Sequence, residues 1–561
     1  MSEDRGVPLE PLASRDDWWQ TGVVYQIYPR SFADANGDGI GDLAGILSHL
    51  DHLGGDQGSL GIDAIWLSPI YPSPDFDFGY DVADYVGVDP KFGSLADFDR
   101  LVAGCHARGI KVILDLVLNH SSSKHPWFEA SRASRDGPHA DWYIWRDSPG
   151  RSILGRRRPP NNWRSFFGGS AWTWDDARGQ FYMHTFLPEQ PDLNWRNPAV
   201  REALLGVVRT WLDRGVDGFR LDVFNAFFKA EGLPSNPRRL GGRGAWSWQY
   251  HVNDRNQPEL SELLGELRSI VDEKPGRMTV GELFDGSLRD AAGLIRPRHL
   301  VFDFTLISVP WSAAAFAGAI EARGAAFGPE RWPANVLSNH DQPRHASRFE
   351  PPDSLSGGTE GDARAKVAAV LLLTLRGTPF LYYGEEIALR NLSIPNSEAF
   401  DPPARRASFL FPWWNRDQAR GPMPWTSGPG AGFSAGRPWL PLTPDAALRN
   451  AERQAADPAS VLSVYRRMLA LRRATPALQV GSQHLVATGD AEVLAFIRRA
   501  GDGAALILLN FASRPASIAL AKDGSREPWR VALSTGDRAP GDVLGEDVAL
   551  APLEGLVATR A

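Results

Sequence analysis

The sequence is poor in cysteine. Cys105 is the only one among 561 residues, so no intrachain disulfide can form and the residue is expected to be a small buried hydrophobe. Uninterrupted apolar runs are short as well, and none reaches the roughly 18 residues of a membrane-spanning helix. Residues 1–20 are polar and acidic, unlike a secretory leader. We therefore expect a cytoplasmic protein that has no membrane as a partner.

A strong excess of one charge is also missing. The formal net charge is −7, which is small for this length and argues against nucleic acid or an anionic membrane as the main partner. There is no internal repeat and no low-complexity tract. The hydrophobic fraction of 43% is that of a globular protein, and the length allows one large domain with smaller additions.

Short apolar runs, rich in Val, Ile, Leu and aromatic residues, alternate with helix-like stretches along most of the chain. Nearly continuous apolar runs are typical of parallel strands that are buried on both faces. Alternating strands and helices predict a parallel sheet, and eight such runs predict a (β/α)8 barrel. The runs are Gly22–Pro29, Ala64–Ile70, Ile110–Leu118, Val216–Val223, Met278–Phe284, Leu300–Leu306, Asn335–Asn339 and Pro379–Tyr383.

Two irregular segments interrupt this alternation. Residues 121–189, after the third run, are rich in Trp, Gly, Pro and Asn and show no helical period, which predicts an inserted subdomain. A second irregular stretch covers about 388–455, after the eighth run. Short alternating runs predict an antiparallel β-domain at residues 475–561. The barrel itself is predicted to consist of residues 1–120 and 190–474.

Three carboxylates lie at the ends of predicted strands. Asp222 ends Gly-Phe-Arg-Leu-Asp, Glu282 lies in Val-Gly-Glu-Leu-Phe, and Asp341 lies in Asn-His-Asp-Gln-Pro-Arg. The carboxyl ends of barrel strands share one rim, where barrel enzymes keep their catalytic groups. Cleavage of a glycosidic bond needs a carboxylate that attacks the sugar and a carboxylic acid that protonates the leaving oxygen. The three acids therefore predict a glycosidase.

Two further polar residues lie near these acids in the predicted barrel. Arg220 precedes Asp222 by two residues and so shares a face of the strand with it; its cation is expected to keep Asp222 ionised. The proton donor, in contrast, needs surroundings that raise its pKa. His120 ends the third strand, where its imidazole could bind a sugar hydroxyl or could be an ordinary structural histidine.

A run of oxygen ligands follows the first predicted strand. In Asp-x-Asn-x-Asp-Gly-Ile-Gly-Asp (34–42), oxygen donors alternate around a glycine turn as in the first part of an EF-hand loop. The usual glutamate at position twelve is replaced by Gly45. We expect one structural Ca²⁺, or Mg²⁺, and the alternative is a solvated acidic turn without metal. The predicted ligands are Asp34, Asn36, Asp38, the Ile40 carbonyl and Asp42. No nucleotide motif is present, and no organic cofactor is expected.

Taken together, the motifs resemble glycoside hydrolase family 13, the α-amylase superfamily, and within it the α-glucosidase and oligo-1,6-glucosidase branch. The resemblance extends from about Trp18 to the C-terminus. It is carried by Asp-Leu-Val-Leu-Asn-His (115–120), Gln-Pro-Asp-Leu-Asn-Trp (190–195), Gly-Phe-Arg-Leu-Asp-Val (218–223), Gly-Glu (281–282) and Asn-His-Asp-Gln-Pro-Arg (339–344). It implies a barrel enzyme that releases glucose from the non-reducing end of short α-1,4- or α-1,6-glucosides through a covalent glucosyl-enzyme, which can also transfer glucose to an acceptor.

The resemblance also implies roles for single residues. Asp222 becomes the nucleophile, Glu282 the general acid/base, and Asp341 the carboxylate that binds the sugar's 2- and 3-hydroxyls. The residues expected to contact or flank the terminal glucose are Asp77, Tyr80, His120, Phe167, Phe186, Arg220, His340 and Arg416. Val223 resembles members that prefer α-1,6 bonds, although the Phe-Asn-Ala-Phe-Phe that follows departs from the usual oligo-1,6-glucosidase sequence. The 34–42 loop matches a calcium site of this branch.

Two other interpretations remain open. A sugar isomerase or glucosyl transferase, of the trehalose synthase or sucrose isomerase kind, would use the same three acids; Gln342 here resembles the glucosidase branch, because trehalose synthases tend to carry an acidic residue in the segment after Asp341. A transporter heavy chain of this family would have lost catalytic acids that are intact here. The expected partner is an oligosaccharide or a small α-glucoside, and the protein is expected to be a monomer or a homodimer.

Overall fold

Eight parallel strands close into a barrel in this computed structural model, which describes residues 17–55, 58–241, 244–295, 299–351, 359–406, 414–520 and 527–560. Each strand pairs with its neighbours in chain order, and the first pairs with the last. The strands are β1 Val24–Ile27, β2 Ala64–Leu67, β3 Lys111–Leu116, β4 Gly218–Leu221, β5 Met278–Gly281, β6 His299–Asp303, β7 Ala334–Val336 and β8 Thr378–Tyr382. The predicted (β/α)8 barrel is confirmed.

Every barrel strand except β8 is shorter than the apolar run that predicted it. As a result, two of the three predicted acids, which fall inside those runs, lie just beyond the strands. β4 ends at Leu221 and β5 at Gly281, so Asp222 and Glu282 are the first residues beyond their strands. Their backbones are still fixed to the sheet, because Asp222 N–H donates to the Leu116 carbonyl and Glu282 N–H donates to the Leu221 carbonyl. The two acids therefore stand at the rim on adjacent strands.

The barrel interior is filled by side chains that point inward from alternating strand positions. Its apolar part consists of Val24, Ala64, Trp66, Ile113, Met278, Val280, Leu300, Phe302, Ala334, Val336 and Phe380. Above this layer the interior becomes polar. Asp115 on β3 is the register partner of Arg220 on β4, and both are at most 1% exposed.

Helices flank the barrel strands, and two of the α-helices belong to the added segments: Pro126–Ala133 lies in the insertion, and Pro476–Val480 packs against the C-terminal sheet. The α-helices are Trp18–Thr21, Pro29–Phe32, Leu43–Ser48, Leu50–Leu53, Leu95–Ala107, Pro126–Ala133, Pro198–Asp213, Leu260–Val271, Leu288–Leu294, Ala313–Phe327, His345–Arg348, Thr359–Thr374, Pro402–Arg406, Ala451–Ala455, Val461–Ala474 and Pro476–Val480. Ser94 caps Leu95–Ala107 in a capping box with Asp97. Cys105 lies on the buried face of that helix, where burial raises the pKa of its thiol to about 12. Within the described ranges no helix has the length and apolarity needed to cross a membrane.

The inserted and C-terminal segments each form antiparallel sheet. In the insertion, Gln180–Met183 lies between Trp145–Arg146 and Trp172–Asp175. The C-terminal segment has a five-stranded sheet in the order Ser482–Val486, Val493–Ala500, Gly503–Asn510, Gly555–Arg560 and Arg530–Ser534, and a pair formed by Ala516–Ala519 and Asp547–Leu550. The boundaries given above for these units stay predictions.

Two buried arginines lie where the barrel meets the C-terminal segment: Arg498 is on the sheet strand Val493–Ala500, and Arg472 is on the barrel helix Val461–Ala474. Arg498 donates to the carbonyl of Thr374 at 2.5 Å, and Arg472 donates to the carbonyl of Leu373 at 3.0 Å. These carbonyls end the helix Thr359–Thr374, where the last carbonyls have no partner within the helix. Burial lowers the pKa of both guanidiniums, that of Arg472 to about 10. Arg498 thus caps the helix from the C-terminal sheet, whereas Arg472 caps it from a neighbouring helix of the barrel.

We expect Arg498→Met to lower the free energy of unfolding by on the order of 3 kcal/mol, because Met fills similar space but leaves several buried carbonyls without a donor. Arg499→Met is the matched control, because the adjacent side chain lies on the opposite face of the strand. Calorimetry of both variants checks this. Equal midpoints for the two would show that Arg498 does not join the units.

Candidate active site

A cavity of about 410 Å³ lies over the carboxyl-end rim of the barrel. It is lined by Asp77, Tyr80, His120, Phe166, Phe167, Phe186, Gln190, Asp222, Val223, Glu282, Leu283, Phe284, Asp285, Phe304, Asp341, Gln342, Trp414 and Arg416. Every catalytic and substrate-binding residue predicted from the sequence is in this set except Arg220 and His340. These two lie directly behind the lining and contact the residues that form it, so their predicted contact with sugar stays a prediction.

Arg220 is shared by three carboxylates. Its Nη1 donates to Asp115 at 2.7 Å and to Asp222 at 2.6 Å, and its Nη2 contacts Glu282. The guanidinium also packs over the Trp66 ring, 5.3 Å from the ring centre. The residue is 1% exposed, so this charge acts in a medium of low polarity, where ion pairs are much stronger than in water.

Burial raises the pKa of Asp222 and also that of Glu282. The charge of Arg220 opposes both shifts, while the nearby carboxylates Asp115 and Asp341 add to them. Arg220 lowers the pKa of Asp222, as the sequence suggests, but burial outweighs this cation, so the net shift does not support the prediction that Arg220 keeps Asp222 ionised. Four acids so close together do not all ionise easily, so the Asp222–Glu282 pair is expected to hold one proton between them.

The pKa of Asp341 is shifted in the opposite direction, below its usual range. Burial alone would raise its pKa, but Arg416 and Arg420 lie 3.2 and 2.9 Å from its Oδ1 and hold the pKa below the usual range. His340 is 3.3 Å from the other oxygen, yet burial lowers the pKa of this imidazole to about 3. The groups that lower the pKa of Asp341 against the effect of burial are thus His340, Arg416 and Arg420, and of these only the two arginines are charged at neutral pH.

A chain of hydrogen bonds fixes His340 and Tyr80. Gln26 Nε2 donates to His340 Nδ1 at 2.8 Å, which leaves the ring proton on Nε2, 2.6 Å from the Tyr80 hydroxyl. Tyr80 in turn donates to Asp115 at 2.9 Å. His120 is neutral as well, since burial lowers its pKa to about 4, and its Nε2 lies 3.1 Å from the Tyr80 carbonyl. These side chains are therefore fixed before any substrate binds.

Arg416 closes one end of the cavity. Its Nη2 donates to Asp77 at 2.6 Å and to Asp401 at 2.7 Å, and its Nε donates to Asp401 at 3.0 Å. Asp401 is completely buried. The guanidinium also lies over the Phe167 ring, with 5.2 Å to its centre. This end of the cavity thus presents carboxylates and a cation in fixed positions, as recognition of sugar hydroxyls requires.

Sequence reasoning missed several residues of the site. Gln190 opens the Gln-Pro-Asp-Leu-Asn-Trp motif, so a closer reading of that motif is the signal that finds it. Arg420 follows the predicted Arg416 by four residues. Asp401 lies in the irregular stretch after the eighth strand and carries no local signal. The further lining residues that were missed are Phe166, Leu283, Phe284, Asp285, Phe304, Gln342 and Trp414.

The loop after β1 does not gather its acids around one point. Throughout the described ranges, no group of three or more His, Cys, Asp or Glu side chains is placed to hold a metal ion. The carboxylates of the loop instead accept backbone N–H groups: Asp34 from Gly37 and Gly39, Asp38 from Ile40, and Asp42 from Ala35 and Gly45. The Ca²⁺ or Mg²⁺ site stays a prediction, because two of its expected ligands, Asn36 and the Ile40 carbonyl, are not His, Cys, Asp or Glu side chains, and no chemistry is assigned to it below.

Comparisons with known proteins identify the family and relatives of this chain. Residues 26–481 match the family model of the alpha-amylase catalytic domain. A probable alpha-glucosidase of Rhizobium meliloti (strain 1021) is 44% identical over 531 residues, which cover 92% of this chain and 93% of that protein. An oligo-1,6-glucosidase of Parageobacillus thermoglucosidasius is 37% identical over 535 residues, covering 89% and 91%.

A solved structure is similar along nearly the whole chain. It is a variant of trehalulose synthase MutB in complex with Tris, with a TM-score of 0.87 and 36% sequence identity. The alignment covers 97% of this chain and 100% of the other. The barrel and both added units of this chain therefore have counterparts in a known structure.

We expect Glu282→Gln to raise the free energy of unfolding at neutral pH. An unfolded Glu titrates near 4.3, and the folded group titrates at higher pH, so the parent loses stability relative to the variant as pH rises from about 4. The difference between the two should therefore grow towards neutral pH. Thermal unfolding across this pH range measures it.

Asp341→Asn is the control of opposite sign. The folded pKa of Asp341 is depressed, so its ionised form stabilises the fold above the unfolded pKa, and that stability is lost as pH falls through the folded pKa. This variant should be less stable than the parent at neutral pH, and the deficit should shrink in acid. Parallel pH profiles for the two variants would contradict the assigned electrostatics.

Proposed function

The chain belongs to the alpha-amylase family of catalytic domains, and on that basis we propose that its cavity is the active site of an exo-acting, retaining α-glucosidase. The observation that carries the proposal is the set of Asp222, Glu282 and Asp341 around one cavity whose polar end is closed by Arg416. The names of the two relatives, an alpha-glucosidase and an oligo-1,6-glucosidase, support it.

In the first step, Asp222 attacks the anomeric carbon of the terminal glucose while Glu282 gives its proton to the leaving oxygen. The shared proton of the pair is held by Glu282 at this point, because Asp222 must be ionised to attack. Arg220 contacts both groups, so its cation lies beside the negative charge whichever of the two acids carries it. In the second step Glu282, now a carboxylate, takes a proton from water, which displaces Asp222 and releases α-glucose.

Selection of a single terminal glucose follows from the closed end of the cavity. Asp341 is kept ionised by Arg416 and Arg420, and an ionised carboxylate is a strong acceptor for two neighbouring sugar hydroxyls. Asp77 and His120 offer further polar groups at the same end. A chain that continued beyond the terminal glucose would meet the Arg416–Asp401 pair, which supports exo action.

We expect Asp222→Ala to lower kcat for p-nitrophenyl α-glucoside by roughly 10⁴-fold, since the covalent route is lost. The exposed Asp99→Ala is the control and should keep the parent rate. NMR of the parent reaction should show α-glucose before mutarotation. Near-full activity of Asp222→Ala, or β-glucose as the first product, would refute the assignment.

A second candidate is a glucosyl isomerase on the same scaffold, favoured by the 0.87 TM-score to trehalulose synthase MutB. Such an enzyme would return the bound glucose to the released sugar instead of passing it to water. Both activities share the first step and differ only in the fate of the glucosyl-enzyme.

Product analysis with sucrose separates the two candidates. A hydrolase should release glucose and fructose in equal amounts at early times, because water intercepts the glucosyl-enzyme. Chromatography of the products measures this. Isomerised disaccharide as the main product would favour the second candidate over the first.

A further inference from the structure

The cavity has two chemically different halves. One half contains the polar groups described above, which are Asp77, Tyr80, His120, Asp341 and Arg416. The other half is formed by the residues that follow the two catalytic acids in the chain: Val223 after Asp222, and Leu283, Phe284 and Asp285 after Glu282. Because the proton donor must touch the leaving oxygen, residues next to Glu282 lie on the leaving-group side.

Aromatic rings form the wall of this second half. The Phe284 ring lies 4.8 Å from the Phe166 ring, 5.2 Å from Phe186 and 5.3 Å from Trp246, measured between centres. Phe186 is also 5.3 Å from the His120 ring and so lies at the border between the two halves, beside the predicted position of the terminal glucose. Phe186, Val223 and Phe284 are each buried in the cluster. Faces and edges of aromatic rings are thus presented together, in the arrangement that aromatic groups prefer for contact with one another.

Polar contacts hold this wall in place from behind. Trp246 stacks on His251 with 3.5 Å between ring centres, and its indole N–H donates to Asp285 at 3.1 Å. His251 is in turn bonded to Asp254 at 2.7 Å. Asp285 also pairs with Arg255 at 2.8 Å and has a positive φ of 45°, unusual for a residue with a side chain. The wall is therefore formed before a ligand arrives, and little ordering is needed on binding.

Few polar groups are available to a second sugar on this side. Of the described residues that line this half and the rim beyond it, Asp285, Gln342 and the indole of Trp414 are polar. Asp285 is already engaged by Trp246 and Arg255. A sugar ring carries several hydroxyls, and each one buried without a partner costs free energy. An apolar group would lose nothing in this way and would bury its surface favourably.

We infer that the leaving-group half binds aryl or alkyl groups, and that the enzyme transfers glucose to apolar alcohols in preference to sugars. This rests on the proposed function, because it needs the glucosyl-enzyme on Asp222. The acceptor's hydroxyl oxygen bonds to the anomeric carbon, and the bond from that carbon to Asp222 breaks, its electron pair returning to the carboxylate. The hydroxyl proton goes to Glu282. The product is the α-glucoside of the alcohol, with both acids restored to their starting state.

The test uses p-nitrophenyl α-glucoside as donor, with benzyl alcohol, cyclohexylmethanol or glucose as acceptor at equal concentration. Released p-nitrophenol counts glucosyl-enzyme formed, free glucose counts hydrolysis in the two alcohol reactions, and chromatography quantifies the transfer product in each. Both products come from one intermediate, so their ratio does not depend on how much of a variant is folded. We expect the ratio of transfer to hydrolysis to be at least about tenfold higher with either alcohol than with glucose.

Three variants test whether the aromatic wall causes this preference for apolar alcohols. Phe284→Asn should reduce the ratio for benzyl alcohol by about tenfold, whereas the matched apolar variant Phe284→Leu should stay near the parent. Val223→Thr, which keeps shape and adds a hydroxyl, should also lower the ratio and covers the case in which Phe284→Asn does not fold.

Failure of the inference can be distinguished from failure of the proposed function. The inference would be overturned if glucose were an acceptor equal to or better than the alcohols. It would also be overturned if Phe284→Asn and Phe284→Leu gave equal ratios and Val223→Thr gave the parent ratio. Both outcomes would leave the proposed glucosidase activity intact. Absence of p-nitrophenol release by the parent would instead refute the proposed function, and the inference with it.

Discussion

The buried guanidinium of Arg220 is the interaction on which the site depends. Three carboxylates from adjacent strands, Asp115, Asp222 and Glu282, all reach it. Without a cation, acids this close in a medium of low polarity would be protonated or would move apart. The register of β3, β4 and β5 sets Asp115 level with Arg220, and it brings Asp222 and Glu282 side by side two residues further towards the rim. The site is thus an outcome of strand pairing as much as of side-chain chemistry.

Hydrogen bonds between side chains on or beyond different strands fix the orientation of the polar groups in the barrel. Gln26 on β1 sets the tautomer of His340 beyond β7, and that imidazole holds Tyr80, which reaches Asp115 on β3. Each bond in the chain crosses the barrel interior or its rim, where water cannot compete. The polar end of the cavity is therefore preorganised by contacts that no single stretch of sequence contains, which is what electrostatic catalysis requires.

The sequence was sufficient to predict the barrel, the three acids and the enzyme class, and the comparisons confirm the fold and the class. Parallel strands buried on both faces leave a clear apolar signal, and acids just after such runs must meet at one rim. Asp401 and Trp246 could not be found in this way, because they lie in irregular stretches that only the folded chain brings to the cavity. The direction of the net pKa shift of Asp222 could not be predicted from the sequence either. Residue spacing shows that a cation lies near this carboxylate, but it does not show how strongly burial removes the carboxylate from water.

The single thiol of this protein is expected to be unreactive towards thiol-specific labels. A thiol reacts as its thiolate, and Cys105, completely buried and with a pKa raised to about 12, is almost entirely protonated at neutral pH. Towards maleimides the native protein behaves as though it contained no cysteine. A cysteine introduced at an exposed position, for example by Leu240→Cys, would be the residue that a maleimide labels. A spectroscopic probe could then be attached at a chosen point without first replacing Cys105.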